Sequence, residues 1–177
     1  WAEQDPAIWW ENCCKVTQKL LAQTGVSSQN IKGIGIAYQM HGMVIIDKEQ
    51  NVLRPSIIWC DSRAVEIGND AFRGVGEDRC VSNLLNSPGN FTLSKLKWVK
   101  ENEPEIFDKV DKLLLPGDYI AMRLTGETTT TISGLSEGIM WDFKANCPAD
   151  WLFEYMGIST DVIPTIVPTF SDQGKVT

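Results

Sequence analysis

The sequence predicts an α/β domain with a partly parallel sheet, on three observations. Apolar runs short enough for strands alternate with amphipathic stretches long enough for helices. The run from Ile31 to Tyr38 sets Ile31, Gly33, Gly35 and Ala37 on one face against Ile34, Ile36 and Tyr38 on the other. That pattern predicts a strand inside a sheet, covered on both sides. Directly after it stand Gln39, Met40, His41 and Gly42, with the only histidine of the chain. Open α/β sheets place their ligand crevices at such a carboxyl end.

In order along the chain, Asp5-Pro6 predicts a helix start, with Asp5 as cap and Pro6 in the first turn, where a missing N–H costs nothing. Trp9, Cys13, Val16 and Leu20 then recur at helical spacing until Gly25 stops the helix, which is expected to pack on the sheet. After the Ile31 to Tyr38 strand, Met43 to Ile46 and Ile57 to Trp59 predict a hairpin around the turn Asp47-Lys-Glu-Gln-Asn51. Ser62 to Asn86 reads as two helical pieces broken at Gly74-Val-Gly76, with Asn69, Asp70 and Arg73 solvated. Ser87 to Asn90 is a loop, and Leu93, Leu96, Trp98 and Val99 start another helix, which Pro104 interrupts or restarts. Lys112 to Leu115 suits a buried strand, and Asp118 can cap a helix over Tyr119 to Leu124 that Thr125-Gly126 closes. Thr128 to Ser133 is β-branched and hydroxyl-rich, Trp151 to Met156 predicts a last helix, and the tail with Pro164, Pro168 and Gly174 reads as turns and short strands.

Length and charge narrow the function. At 177 residues and 43% hydrophobic residues the chain fits one domain with a sizeable core. A net charge of -7 has the wrong sign for an electrostatic nucleic-acid footprint or for anionic lipid. No apolar run approaches the roughly 20 residues of a membrane span, and no charged-then-apolar leader opens the chain, so a cytoplasmic protein is expected. Five cysteines without a C-x-x-C pair, beside one histidine, argue against a zinc site and for reduced thiols.

Few residues carry chemistry. His41 can be an acid or base, but no serine, cysteine or carboxylate stands beside it at a telling spacing, so a ligand-binding or packing role competes. Gln39 adds a second polar group and Gly42 permits close backbone approach. Asp61 and Arg63 allow two readings, a substrate clamp or a structural ion pair at a helix start. Trp59 is a stacking platform for a sugar or a core residue. Asp118 reads as a cap before a general base. Thr128 to Thr131 lacks the glycine-rich loop and lysine that cradle nucleotide phosphates. A hydrolase using Asp61 and Asp118 would need them held ~5 to 9 Å apart, which nothing in the sequence fixes.

Gln39-Met-His-Gly42, followed by Asp47, Leu53-Arg-Pro-Ser-Ile-Ile-Trp59 and Asp61-Ser-Arg63, resembles the substrate-side signature of the xylulose kinase branch of the FGGY carbohydrate kinase family. Trp1 to Pro6, Ser94 to Trp98, Pro104 to Phe107, Leu113 to Tyr119 and Leu124 to Gly126 agree in order. The Met-His pair is the specific part, since the related glycerol kinases carry Arg-Glu there.

The resemblance implies an actin-like, ribonuclease-H-like fold in a two-domain kinase that phosphorylates D-xylulose to D-xylulose 5-phosphate. Sugar would lie between the domains, and ATP with Mg2+ would be held mainly by the second. It implies that Met40 and His41 contact the sugar, that Trp59 lines the site and that Asn90 or Phe91 lies in a loop closing over it. Gln39 and Asp61 complete the candidate substrate-binding set. The family's phosphate-contacting hairpin and the Gly-Asp-Gln or Gly-Asp-Asn motif with its catalytic aspartate have no counterpart here. Asp61, Asp118 and Asp142 do not match that motif, so no catalytic residue is assigned and no cofactor or metal is expected on this chain. The segment then corresponds to a central piece of the first domain, inactive by itself. The strand Ile31 to Tyr38 would keep an open edge, from which self-association is expected. A non-catalytic actin-like binding or assembly module, or a kinase for another ketose or polyol, are the competing readings.

Overall fold

The computed structural model describes residues 1–177. In chain order the elements are β1 (Glu3–Gln4), α1 (Pro6–Thr24), β2 (Val44–Ile46), β3 (Ser56–Ile57), α2 (Val65–Val75), α3 (Glu77–Leu84), α4 (Thr92–Asn102), α5 (Pro104–Phe107), β4 (Lys112–Leu114), α6 (Pro116–Thr125), β5 (Thr129–Thr131), α7 (Ile132–Glu137), β6 (Trp141–Asp142), β7 (Cys147–Pro148), α8 (Asp150–Met156) and β8 (Thr165–Val167). Strands pair only in twos. β1 with β3, β2 with β4 and β6 with β7 are antiparallel, and β5 with β8 is parallel.

Local signals set most boundaries. Asp5 accepts the Ala7 N–H at 2.9 Å, Pro6 opens α1, and Gly25 closes it in the left-handed conformation. Gly76, with φ of 100°, separates α2 from α3, and Pro104 restarts the chain as α5. Asp70 and Arg73 form an exposed i,i+3 pair at 2.6 Å. Gly126 ends α6 as expected. Asp118 sits in the first turn of α6 rather than at its cap, and its Oδ2 reaches back to accept the Leu115 N–H at 3.2 Å. α7 was not anticipated from the sequence. It is six residues long, too short for a helical period to show, and it starts where the Thr131 hydroxyl accepts the Gly134 N–H at 3.1 Å.

The strand expected from Ile31 to Tyr38 does not form. These residues join no ladder, and Ile34 is 57% exposed although the alternation placed it in a sheet interior. A strand exists only with a partner for its N–H and C=O groups, and no other segment of the 177 residues supplies one. The hairpin is likewise reduced. Its turn is closed by Asp47 N–H to Asn51 O at 3.0 Å, but the arms meet only at Ile46 with Val52 and at Met43 with Ile57. Pro55 cannot donate to a ladder there, so β2 pairs instead with β4, Val44 opposite Leu114, and β3 with β1. The expected packing of α1 on a sheet is confined to its first turns, which meet the β2–β4 pair. α1 rests on α6 and leaves Ile8, Val16 and Leu20 exposed, while Trp9 and Trp10 touch a small cluster of Val44, Ile46, Leu114, Tyr119 and Met122.

The main core joins β2 and β4 to α4 and α8 through Met43, Ile45, Leu93, Leu96, Leu113, Leu152 and Phe153. Of the cysteines only Cys80 is buried, and Cys13 and Cys60 are exposed. No helix is long and apolar enough to cross a membrane.

Candidate functional site

Two glycines bring the first turn of α6 against the segment that carries His41. A Cβ on Gly42 would lie 2.5 Å from Pro116 Cγ, and one on Gly117 would lie 2.2 Å from the Tyr38 ring. Only hydrogen at these positions permits that approach. His41 itself has φ of 57°, a turn conformation that few residues with side chains adopt.

Two helices then fix its main chain and ring. The Lys95 ammonium on α4 donates to the His41 carbonyl at 2.5 Å, and the Thr92 hydroxyl donates to the next carbonyl, that of Gly42, at 3.3 Å. At the end of α7, the Glu137 carboxylate accepts the His41 N–H. The Glu137 carbonyl oxygen lies 3.1 Å from His41 Nδ1. A carbonyl only accepts, so Nδ1 carries the hydrogen, and in the neutral ring Nε2, which bonds nothing within the chain, is the acceptor. The Phe91 ring meets the imidazole edge-on with centroids 4.3 Å apart.

These residues face a cavity of about 320 Å3. Met40, His41, Phe91, Leu84, Leu85 and Ile139 form its apolar wall, and Asn86, Ser133, Ser136 and Glu137 supply polar groups. The size is at the small end of ligand pockets, ~300 to 1,000 Å3. Five residues other than glycine have positive φ, and three of them, His41, Leu85 and Ile139, line this cavity. Strained backbone gathers at binding sites because surrounding packing holds it for a purpose other than stability. A larger depression of about 390 Å3 lies by Asp108, Asp111, Lys112 and Asp161 and contains none of the expected site residues.

The structure thus brings Met40, His41 and Phe91 together but not the other three candidates. Gln39 turns away, its amide donating to the Gln4 side chain at 2.9 Å. Trp59 is 59% exposed, so it is not a core residue, and it does not line the cavity. Asn90 ties that neighbourhood together by donating to the Asp61 carbonyl and, at 3.5 Å, to the Trp59 carbonyl.

Asp61 is the most enclosed of the set. It is fully buried, and its oxygens take the Arg63 Nη2 at 2.7 Å, Nε at 2.9 Å and the Ala2 N–H. Arg63 also reaches Glu3 at 2.7 Å and lies between the Trp1 and Trp98 rings. Burial would raise the Asp61 carboxyl, but the Arg63 guanidinium and the Ala2 N–H outweigh it and hold it well below the usual range. This is the geometry of the structural ion pair, and it leaves no carboxylate oxygen for a ligand.

Behind the cavity lie titratable groups that sequence reasoning did not connect to it. Asp118 is buried and accepts the Thr130 hydroxyl at 2.9 Å, and burial pushes its carboxyl up to about 7. Burial also raises the Tyr38 phenol, helped by the negative charges of Glu137 and Asp118. Burial lowers Lys95 to about 8 against the opposing pull of Asp61. Asp61 is committed to Arg63, and Asp118 to the Leu115 N–H and the Thr130 hydroxyl, so neither carboxylate is presented to the cavity beside His41 as glycoside cleavage would require. Glu137 had no signal of its own in the sequence, where it stands 96 positions from His41.

The N-terminal-domain model of the FGGY family of carbohydrate kinases matches residues 1–177. The chain belongs to that family. Among curated proteins it is similar to the xylulose kinase of Escherichia coli, 39% identical over 167 residues, covering 94% of this chain and 34% of that protein. It is also similar to an Escherichia coli L-xylulose/3-keto-L-gulonate kinase, 32% identical over 188 residues, covering 100% of this chain and 36% of that protein. Among solved structures, a "xyloylose kinase" from Brucella ovis superposes with a TM-score of 0.91 at 32% identity, over 100% of this chain and 37% of that one. The chain therefore spans about a third of the length of the relatives it matches. Its α/β architecture is the actin-like one of the FGGY sugar kinases, as the sequence motifs implied.

Proposed function

We propose that this chain forms the sugar-binding part of a xylulose kinase, which transfers the terminal phosphoryl group of ATP to D-xylulose and yields D-xylulose 5-phosphate. The observation that carries the reading is His41, held from both sides of its main chain at the wall of a sugar-sized cavity, next to Met40. Hydroxyl groups of the sugar donate to His41 Nε2 and exchange hydrogen bonds with Ser133, Ser136 and Asn86, while Met40, Phe91 and Ile139 cover its carbon faces. The exposed Trp59 and the side chain of Gln39, turned to Gln4, stay outside the cavity, and Asp61 acts only through the position of Asn90, which its carbonyl holds.

The nucleotide is a separate matter. ATP with Mg2+ is the phosphoryl donor that this family uses, and the cavity does not fit it. Its lining has no cationic side chain, and no group of three or more His, Cys, Asp and Glu side chains could hold a metal ion. We assign no catalytic base among residues 1–177, and we propose that the isolated chain binds sugar without turning it over.

The test is ATP consumption by the complete protein with and without D-xylulose. Turnover that requires D-xylulose supports the reading, and ATP hydrolysis indifferent to sugar, or none, favours a non-catalytic actin-like module. Similarity to a kinase of L-xylulose and 3-keto-L-gulonate makes another ketose the second reading. It is chosen if L-xylulose gives the higher kcat/KM.

A further inference from the structure

We propose that Glu137 makes this cavity selective for uncharged polyhydroxy sugars and against sugar acids, by fixing His41 as a hydrogen-bond acceptor and by placing a carboxylate on the cavity wall. The inference rests on the reading of the cavity as a sugar site.

Two features of one residue act together. The main chain of Glu137 takes the hydrogen of His41 Nδ1, at 3.1 Å, which selects the tautomer of the neutral ring whose Nε2 presents a lone pair to the cavity. Its side chain, only 14% exposed, accepts the His41 N–H and stands 3.8 Å from Nδ1. Of the residues that line the cavity, Glu137 is the only carboxylate, and none is a lysine or arginine. Lys95 lies behind the wall, fully buried and committed to the His41 carbonyl. A neutral ketose brings hydroxyl donors, which both the lone pair and the carboxylate accept. A sugar carboxylate brings only acceptors at that end and a like charge, and in a partly desolvated cavity it meets repulsion from Glu137 that only the neutral donors of Ser133, Ser136 and Asn86, and no cation, can offset. The same polar wall therefore favours one class of sugar and penalises the other, as discrimination by unpaired polar groups requires.

The experiment is binding of D-xylulose and of 3-keto-L-gulonate by the complete protein, measured by calorimetry for the wild type, Glu137→Gln and Ser136→Asp. Glu137→Gln keeps an oxygen acceptor for the His41 N–H and removes the charge. It is expected to narrow the preference for the neutral sugar by about tenfold or more. Ser136→Asp adds a second charge to the same wall and is expected to widen it, which keeps the test alive if the glutamine variant does not fold. An unchanged preference in both variants, or a wild type that binds the acid as well as the ketose, overturns the role of Glu137 and leaves the sugar site standing. A wild type that binds neither ligand overturns the sugar site itself, and this inference with it.

Discussion

His41 and Glu137 are joined twice, main-chain N–H to carboxylate and ring Nδ1 to main-chain carbonyl, across 96 residues of sequence. The double contact locks a left-handed histidine into the cavity wall and selects which ring nitrogen carries the hydrogen. His41→Ala in the complete protein removes the Nε2 acceptor while leaving any nucleotide contacts intact. The KM for D-xylulose is expected to rise by about 10- to 30-fold, corresponding to a lost hydrogen bond of ~1.5 to 2 kcal/mol. The KM for ATP should change less than about threefold. Steady-state kinetics decide it, and equal losses for both substrates would make His41 a packing residue.

Asp118 gives the fold a pH signature. Burial, with help from Glu137, pushes its carboxyl up to about 7, against the Leu115 N–H and Thr130 hydroxyl that favour ionisation. An aspartate in the unfolded chain titrates near ~3.9. The folded chain therefore holds more protons between about pH 4 and 7, and stability from this group is present below that window and lost as pH rises through it. Asp118→Asn removes the titration and keeps an acceptor. Urea midpoints measured across that window should fall less steeply in the variant, and parallel pH profiles would refute the assignment.

Leu85 closes α3 at φ of 64° and is 63% exposed on the cavity rim. Glycine adopts this conformation without the side-chain clash, so Leu85→Gly should stabilise the chain by about 1 kcal/mol. The rim loses an apolar contact at the same time, so D-xylulose should bind more weakly. Thermal melting and calorimetry on one variant are expected to move in opposite senses; a lower melting temperature would mean that Leu85 is held there by packing.

The Asp61 and Arg63 pair is buried, with side chains 0% and 1% exposed. Asp61→Asn leaves the guanidinium with Glu3 as its only carboxylate partner, and breaking such a pair costs about 3 to 5 kcal/mol. Chemical unfolding should show that loss. A variant as stable as the wild type would remove the ion pair from the structural inventory and reopen Asp61 as a ligand.

Ile31, Ile34 and Tyr38 remain 43%, 57% and 38% exposed in a segment that pairs with no strand. Unpaired apolar backbone recruits other chains. Sedimentation of this chain should show association that grows with concentration, and Ile34→Lys should reduce it. A monomer over a wide concentration range would count against the idea.

The sequence by itself determined the elements whose signals are local. Asp5, Pro6 and Gly25 bound α1, Gly76 parts α2 from α3, and Lys112 to Leu114 form a buried strand because capping groups, φ preferences and short apolar runs act within a few residues. The motif Met40-His41 was legible for the same reason, as adjacent letters. What only the tertiary structure decided are the meetings of distant residues. Alternation from Ile31 to Tyr38 states that a strand is possible, but a ladder needs a second chain segment, and none of these residues provides it. No period in the sequence brings Glu137 to His41, or places Arg63 between Trp1 and Trp98; those contacts arise where packed elements cross, and their cost and gain are settled by burial rather than by neighbours in sequence.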